Sequence, residues 1–269
     1  MKYLLHLSYK GTRYRGWQRQ RAGIATVQET IERAIEKVVG THLHVHGCGR
    51  TDAQVHSSNY IAHIKPTEPL RQDFLFIINK VLPADIVIHE VIRVADGSHA
   101  QFHAVDRRYD YYIHTVSDPM LDEISSLYVG DPLQIDLMRL AAAELIGEFD
   151  FRGFCKQVEK HDSTVCIIRE ATLYGRGSRL QLRLHGNRFL RSMVRLLTGN
   201  ILLVGTGLVS LDKWKAVLHC EDTFDDFNIA PPTGLYLSGI GYKGHQFYGE
   251  SFMSLAPSPQ TDQQIADLA

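Results

Sequence analysis

The chain has 269 residues, 44% of them hydrophobic and 22% charged, with a formal net charge of −1. That length suits one large domain or two modest ones with a real core, and the balanced charge gives by itself no nucleic-acid signal. No run of about 18 apolar residues occurs, and the amino-terminal MKYLLHLSYKG turns polar too early for a signal peptide, so membrane insertion and secretion are not indicated and a cytoplasmic address is expected.

In chain order, KYLLHLSYK reads as a strand ending at Gly11, followed by the arginine- and aromatic-rich loop YKGTRYRGWQRQR. TVQETIERAIEKVVG predicts a helix: Thr26 caps it with Glu29 three residues on, Val27, Ile31, Ala34, Ile35 and Val38 form one stripe, and Gly40 ends it. HLHVHGC is a short strand, GCGRTDAQVH a loop and NYIAHIK a returning strand. A helix opening at Pro66 to Leu70 runs to about Lys80, and DIVIHEVIRV is strand again. From Ala104 the order recurs: strand (109–115), helix (135–146), strands (166–174 and 180–185), helix (188–204) and the strand GLYLSGIGY, with an extra helix over 211–220.

The fold class expected is α+β. Residues 1–104 and 105–250 each read β-α-β-β-α-β, and the two halves join into one continuous, mainly antiparallel sheet with helices packed on it; 251–269 reads as a loose tail. Cys48, Cys155, Cys166 and Cys220 form no C-x-x-C pair and read as buried thiols of a reducing compartment. Basic residues gather with aromatics at 9–21, 106–112 and 185–195, while acids gather at 118–123 and 221–226. Such segregation gives one positive face on a neutral protein.

Common catalytic motifs are missing: there is no G-x-S-x-G, H-E-x-x-H or P-loop, and GIGYKG lies near the carboxy end with no helix after it. His42, His44 and His46 alternate, so a strand puts them on one face; that is a metal-site alternative, but no carboxylate or cysteine completes the set, and a polar strand face is the plainer reading. In GCGRTDAQVH, Asp52 by spacing alone is a turn-former. Against that, Gly47 and Gly49 permit close approach of backbone to a ligand, and Arg50 supplies a cation beside the carboxylate. Tyr109 is a strand aromatic, Arg195 a helix-face arginine beside Arg188 and Arg191, and Leu235 a core residue on pattern alone.

Taken together, GRTDAQVH, GWQRQ with TVQE, LPADI, HAQFHAVDRRYDY, NRFLRSMVR and APPTGLYL resemble the tRNA pseudouridine synthase A family over most of the chain. The resemblance implies isomerisation of uridine to pseudouridine in the anticodon stem-loop (tRNA positions 38 to 40), by a homodimer that needs no metal or organic cofactor. It implies Asp52 as the nucleophile acting on a flipped-out uridine, with Arg50, Tyr109, Arg195 and Leu235 in the uridine site. Arg13, Arg15, Arg19, Arg107 and Arg108, with Lys10 and Arg21, are expected to meet tRNA phosphates. Several positions depart from the family pattern: Gln54 where glycine is usual, Gln101 where arginine is common, and Ile77 and Lys80 in a segment where smaller residues and asparagine are favoured, although Asn79 matches.

Overall fold

Alternation in KYLLHLSY makes β1 (Lys2–Tyr9), which turns Leu5, Leu7 and Tyr9 inward. In the computed structural model, which describes residues 1–21, 23–226 and 228–256, the elements that follow are α1 (Val27–Val39), β2 (His46–Gly47), β3 (His56–Ile64), α2 (Phe74–Val81) and β4 (Ile86–Val94). The second half contains β5 (Ala104–His114), β6 (Ser126–Leu127), α3 (Ile135–Ala143), β7 (Gly147–Asp150), β8 (Val165–Arg176) and β9 (Arg179–Gly186). It closes with α4 (Met193–Thr206), α5 (Leu211–Leu218), β10 (Leu235–Tyr242) and β11 (His245–Tyr248). Among these residues no helix is long and apolar enough to cross a membrane.

The long strands form one sheet in the order β4, β1, β3, β10, β5, β9, β8, β7, with β2, β6 and β11 attached to β3, β5 and β10. All pairings on that path are antiparallel except β3 with β10, where Tyr236 faces His56 and Leu237 faces Ser57 in parallel register. The α+β class and the continuous, mainly antiparallel sheet are thus as expected.

Helices cover one face in two clusters. Around α1 and α2, Ile31, Ile35, Phe74 and Ile78 pack on Leu5, Leu7 and Ala62; around α3 to α5, Met138, Leu197 and Trp214 pack with Leu182 and Leu184. Strand β10 serves both, giving Leu235 to the second cluster and Leu237 and Ile240 to the first, while Tyr109 of β5 touches both. The junction of the two clusters therefore lies over the centre of the sheet. On the reverse face, Asp110 and Arg183 are buried as an ion pair, and Tyr112 and Tyr236 pack with Met253.

Several boundaries differ from expectation for local reasons. The strand expected over 42–48 shrinks to His46–Gly47, because Glu32 of α1 takes the Val45 N–H at 3.1 Å and His44 Nδ1 at 2.9 Å. The helix expected to open at Pro66 begins at Phe74, since the residue ahead of a proline is held extended and Pro69 repeats that constraint. The one expected from Arg188 begins at Met193. Asn187 Oδ1 accepts the N–H groups of Ile167 and Arg188 at 2.9 and 2.7 Å, which ties the chain to β8 and leaves 188–192 as a loop. Cys220 is exposed, unlike the other three cysteines. Part of the expected tail is ordered against the sheet: Met253 is buried, and Gln181 Oε1 accepts the N–H of Ala256 at 3.2 Å. Residues 257–269 lie outside the described residues.

Candidate active site

The loop between β2 and β3 is fixed from several sides. Cys48 N–H donates to Ile61 O at 2.8 Å, Tyr60 OH to Gly49 O at 2.6 Å, Trp17 N–H to Thr51 O at 3.3 Å and Gln54 N–H to Tyr14 O at 3.0 Å. Tyr9 OH and Thr51 Oγ1 share a bond of 2.9 Å. Gly47 is glycine because a Cβ there would stand 2.0 Å from Tyr60 OH and 2.6 Å from the Trp17 ring. It makes room for packed rings, whereas the sequence suggested room for a ligand. Trp17 stacks on Tyr60 with centroids 4.0 Å apart and is buried, so it holds the loop down.

His56 ends the loop and joins three segments. Its Nδ1 accepts Gly11 N–H at 3.0 Å, its Nε2 donates to Thr233 O at 3.1 Å, and the ring stacks on Tyr236. Burial pushes this imidazole down to about 4, against the opposing pull of Thr233 O, so it is neutral at neutral pH.

Asp52 is brought to the wall of a cleft of about 910 Å³ at the junction of the two clusters. Arg50, Tyr109, Arg195 and Leu235, drawn from the loop, β5, α4 and β10, line the same cleft. Arg195 Nη1 lies 3.6 Å from Asp52 Oδ2 while its Nε donates to Ala230 O at 2.7 Å, which fixes the guanidinium from behind. Ser192 Oγ reaches the same carboxylate oxygen at 3.5 Å. Tyr109 meets Phe189 edge-on at 5.0 Å. Burial drives the Tyr109 hydroxyl well up from its ordinary value, Arg107 opposing and Cys48 and Asp52 adding to the rise, so the phenol stays protonated. Leu235 and Leu237 give the cleft an apolar side.

The basic residues divide. Arg15, Arg19 and Arg107 line the cleft. Arg19 is held by Glu32 at 3.0 Å, and Arg107 donates to Ala104 O and Asn187 O at 3.1 Å each, which aligns the strand and the 187–192 loop. Arg108 does not reach the cleft: one residue further along β5, it faces the reverse side, buried, donating to Gly249 O at 2.6 Å and pairing with Glu250 at 3.4 Å. Arg13 pairs with Asp85 at 2.7 Å and Lys10 with Glu123 at 2.6 Å, both away from the cleft lining. The opposite wall carries residues that sequence reading passed over: Gln157, Lys160 and His161 join Arg188 and Arg191 there. KQVEKHD carries no aromatic or periodic signal and reads as a solvated turn, so nothing local announces it.

The histidine cluster is His46, His63 and His99, not the alternating His42, His44 and His46. His63 Nδ1 accepts Ala100 N–H at 3.2 Å and His99 Nδ1 accepts Gln101 N–H at 3.1 Å. That places the proton of these two neutral rings on Nε2, leaving neither of them a lone pair for an ion, and the nearby Lys2 ammonium disfavours further positive charge.

A family model described as tRNA pseudouridine synthase matches residues 141–243. A tRNA pseudouridine synthase A of Alcanivorax borkumensis is 37% identical over 240 residues, covering 88% of this chain and 90% of its own. Namesakes from Pseudomonas aeruginosa and Parabacteroides distasonis are 36% and 33% identical, over 94% and 91% of this chain and 91% and 98% of theirs. With about a third of its residues shared along nearly its whole length, the chain belongs to the tRNA pseudouridine synthase family.

Proposed function

We propose that this chain isomerises uridine to pseudouridine in the anticodon stem-loop of tRNA, with Asp52 as the nucleophile toward a uridine extruded into the cleft. The observation that carries the reading is a lone carboxylate in an arginine-lined cleft, held within reach of Arg195 and beside Tyr109 and Leu235. The names of the relatives support the class of reaction.

The balance of bonds suits such a site. The bond from ribose carbon 1′ to ring nitrogen 1 breaks, the base turns, and carbon 1′ bonds to ring carbon 5; the proton of carbon 5 leaves and nitrogen 1 ends protonated. No electrons are exchanged with a second reactant. Asp52 needs no activating base to act as a nucleophile. Tyr109, protonated and flanked by Phe189, stacks on the base and can donate a proton, but it is no resting base. Arg50 occupies the gap that extrusion leaves in the stem, offsetting an unstacking cost of a few kcal/mol. Arg15, Arg19, Lys160, Arg188 and Arg191 grip phosphates from two sides.

Mapping pseudouridine in a tRNA transcript incubated with the protein tests this. Product is expected at positions 38 to 40, and Asp52→Asn is expected to bind the transcript yet form none. The position of Gln101 in the cleft favours a second reading, a related enzyme acting on another RNA uridine; product only outside the anticodon stem-loop would select it. Gln54 does not bear on the target, because it is exposed and outside the cleft lining. The proposal includes a cytoplasmic homodimer, for which light scattering of the purified protein should give twice the chain mass.

A further inference from the structure

Ser192 stands in a conformation that ordinary helix chemistry does not explain. It is the N-cap of α4 with φ 60° and ψ 6°, left-handed backbone that a non-glycine residue adopts at a penalty, and its hydroxyl caps no helix N–H. A serine at this position normally sits in extended backbone and accepts an N–H of the first turn. Thr26 of α1 and Ser210 of α5 do so in this same chain, at 3.3 and 3.1 Å. Ser192 gives up that bond and directs its hydroxyl across 140 residues of sequence to Asp52 Oδ2 at 3.5 Å.

Arg195, one turn further on, meets the same oxygen at 3.6 Å. Two donors, from the N-cap and the first turn of α4, thus converge on Oδ2, and no hydrogen bond to Oδ1 is found among the described residues. Contacts to one oxygen alone restrain the rotation of the carboxylate and leave the other open to a substrate. A long donor–acceptor distance in an unliganded site is the state expected before substrate tightens it.

We propose that Ser192 is a positioning residue for the isomerisation: its hydroxyl, with Arg195, holds Asp52 Oδ2 so that Oδ1 faces the extruded uridine, and the left-handed backbone at 192 is what aims it. This rests on the reading of Asp52 as the nucleophile. The inference predicts opposite signs for turnover and stability at one position.

Turnover and melting temperature of Ser192→Ala and Ser192→Gly, measured on a tRNA transcript with the full chain, test it. Both variants should lose about tenfold in kcat, the scale of one hydrogen bond to a charged group, with KM for the transcript within about twofold of the parent. Ser192→Gly, freed of the left-handed penalty, should melt above the parent while being slower. Ser192→Asn, which tolerates the backbone and restores a donor, should be faster than Ser192→Ala. If Ser192→Ala and Ser192→Gly keep kcat within about twofold of the parent, Ser192 does not position Asp52. If the parent protein forms no pseudouridine, the underlying reading fails instead, and the two failures are told apart in one assay.

Discussion

Gln54 sits at φ 66°, in the left-handed region that favours glycine, with its N–H bound to Tyr14 O and its side chain in solvent. The departure from the family's glycine is therefore a matter of backbone. Gln54→Gly should relieve about 1–2 kcal/mol, more than the roughly 0.5–1 kcal/mol of chain entropy that glycine adds, and a small rise in urea midpoint with unchanged kcat would show it. Arg195 differs in kind, since its fork meets both Ala230 O and Asp52. Arg195→Lys keeps the charge but loses that double engagement, and kcat should fall by roughly 10- to 100-fold with little change in KM. At this scale Asp52 and Arg50 share one short loop, yet spacing alone reads Asp52 as a turn-former, and only the whole GRTDAQVH run raises it above that. Tyr109, Arg195 and Leu235 come from three distant elements, and only their likeness to a family marks them; by pattern each is an ordinary strand or helix residue. The aim of Ser192 is invisible in sequence, since no residue preference announces a serine with positive φ.

Among the elements, α1 does more than pack. Its Glu32, buried on the helix, accepts from Arg19, Val45 N–H and Gln28 and meets His44, so one carboxylate fastens both the basic loop and the approach to β2. Glu32→Ala strands the buried Val45 N–H, while Arg19 and His44 stay half exposed, and should cost about 1–3 kcal/mol in a denaturant titration, the scale of an unsatisfied buried donor. Strand β3 carries a pH response. Burial pushes His63 down to about 4, with His46, Lys2 and His99 adding to the fall, and His56 behaves likewise. An unfolded histidine titrates near 6.5, so between about 6.5 and about 4 the unfolded chain binds protons that the folded chain does not. Their contribution is full above that window and declines as pH falls through it. The urea midpoint should accordingly be lower at about pH 4.5 than at about pH 7.5, and His63→Gln, which still offers Ala100 N–H an acceptor, should flatten the difference. The sequence made α1 legible through its cap, stripe and closing glycine, all of which are local. It hid the start of α4, because the capture of Ile167 and Arg188 N–H by Asn187 depends on a strand 20 residues earlier.

At the scale of the whole molecule, the reverse face of the sheet is closed by the segment after β11. Glu250 pairs with Arg183 at 2.6 Å and with Arg108, while Asp110 holds Arg183 from beneath and Met253 covers Tyr112 and Tyr236. Glu250→Ala should lower stability by about 1.5–3 kcal/mol, the range for a charged hydrogen bond, seen as a lower melting temperature with kcat kept, since this face is turned from the cleft. The β-α-β-β-α-β order of the first half is legible from alternation and helical period, whereas the short strands β6, β7 and β11 added to the second half are not, nor is the pairing that joins the halves, because local pattern does not say which strand β10 will lie beside. That pairing, parallel between β3 and β10, sets where the cleft's two walls meet. Asp52 precedes β3, whereas Leu235 and Leu237, which line the same cleft, belong to β10 near the end of the other half. The cleft is therefore complete only when β10 lies beside β3, and neither half of the chain by itself holds both Asp52 and Leu235.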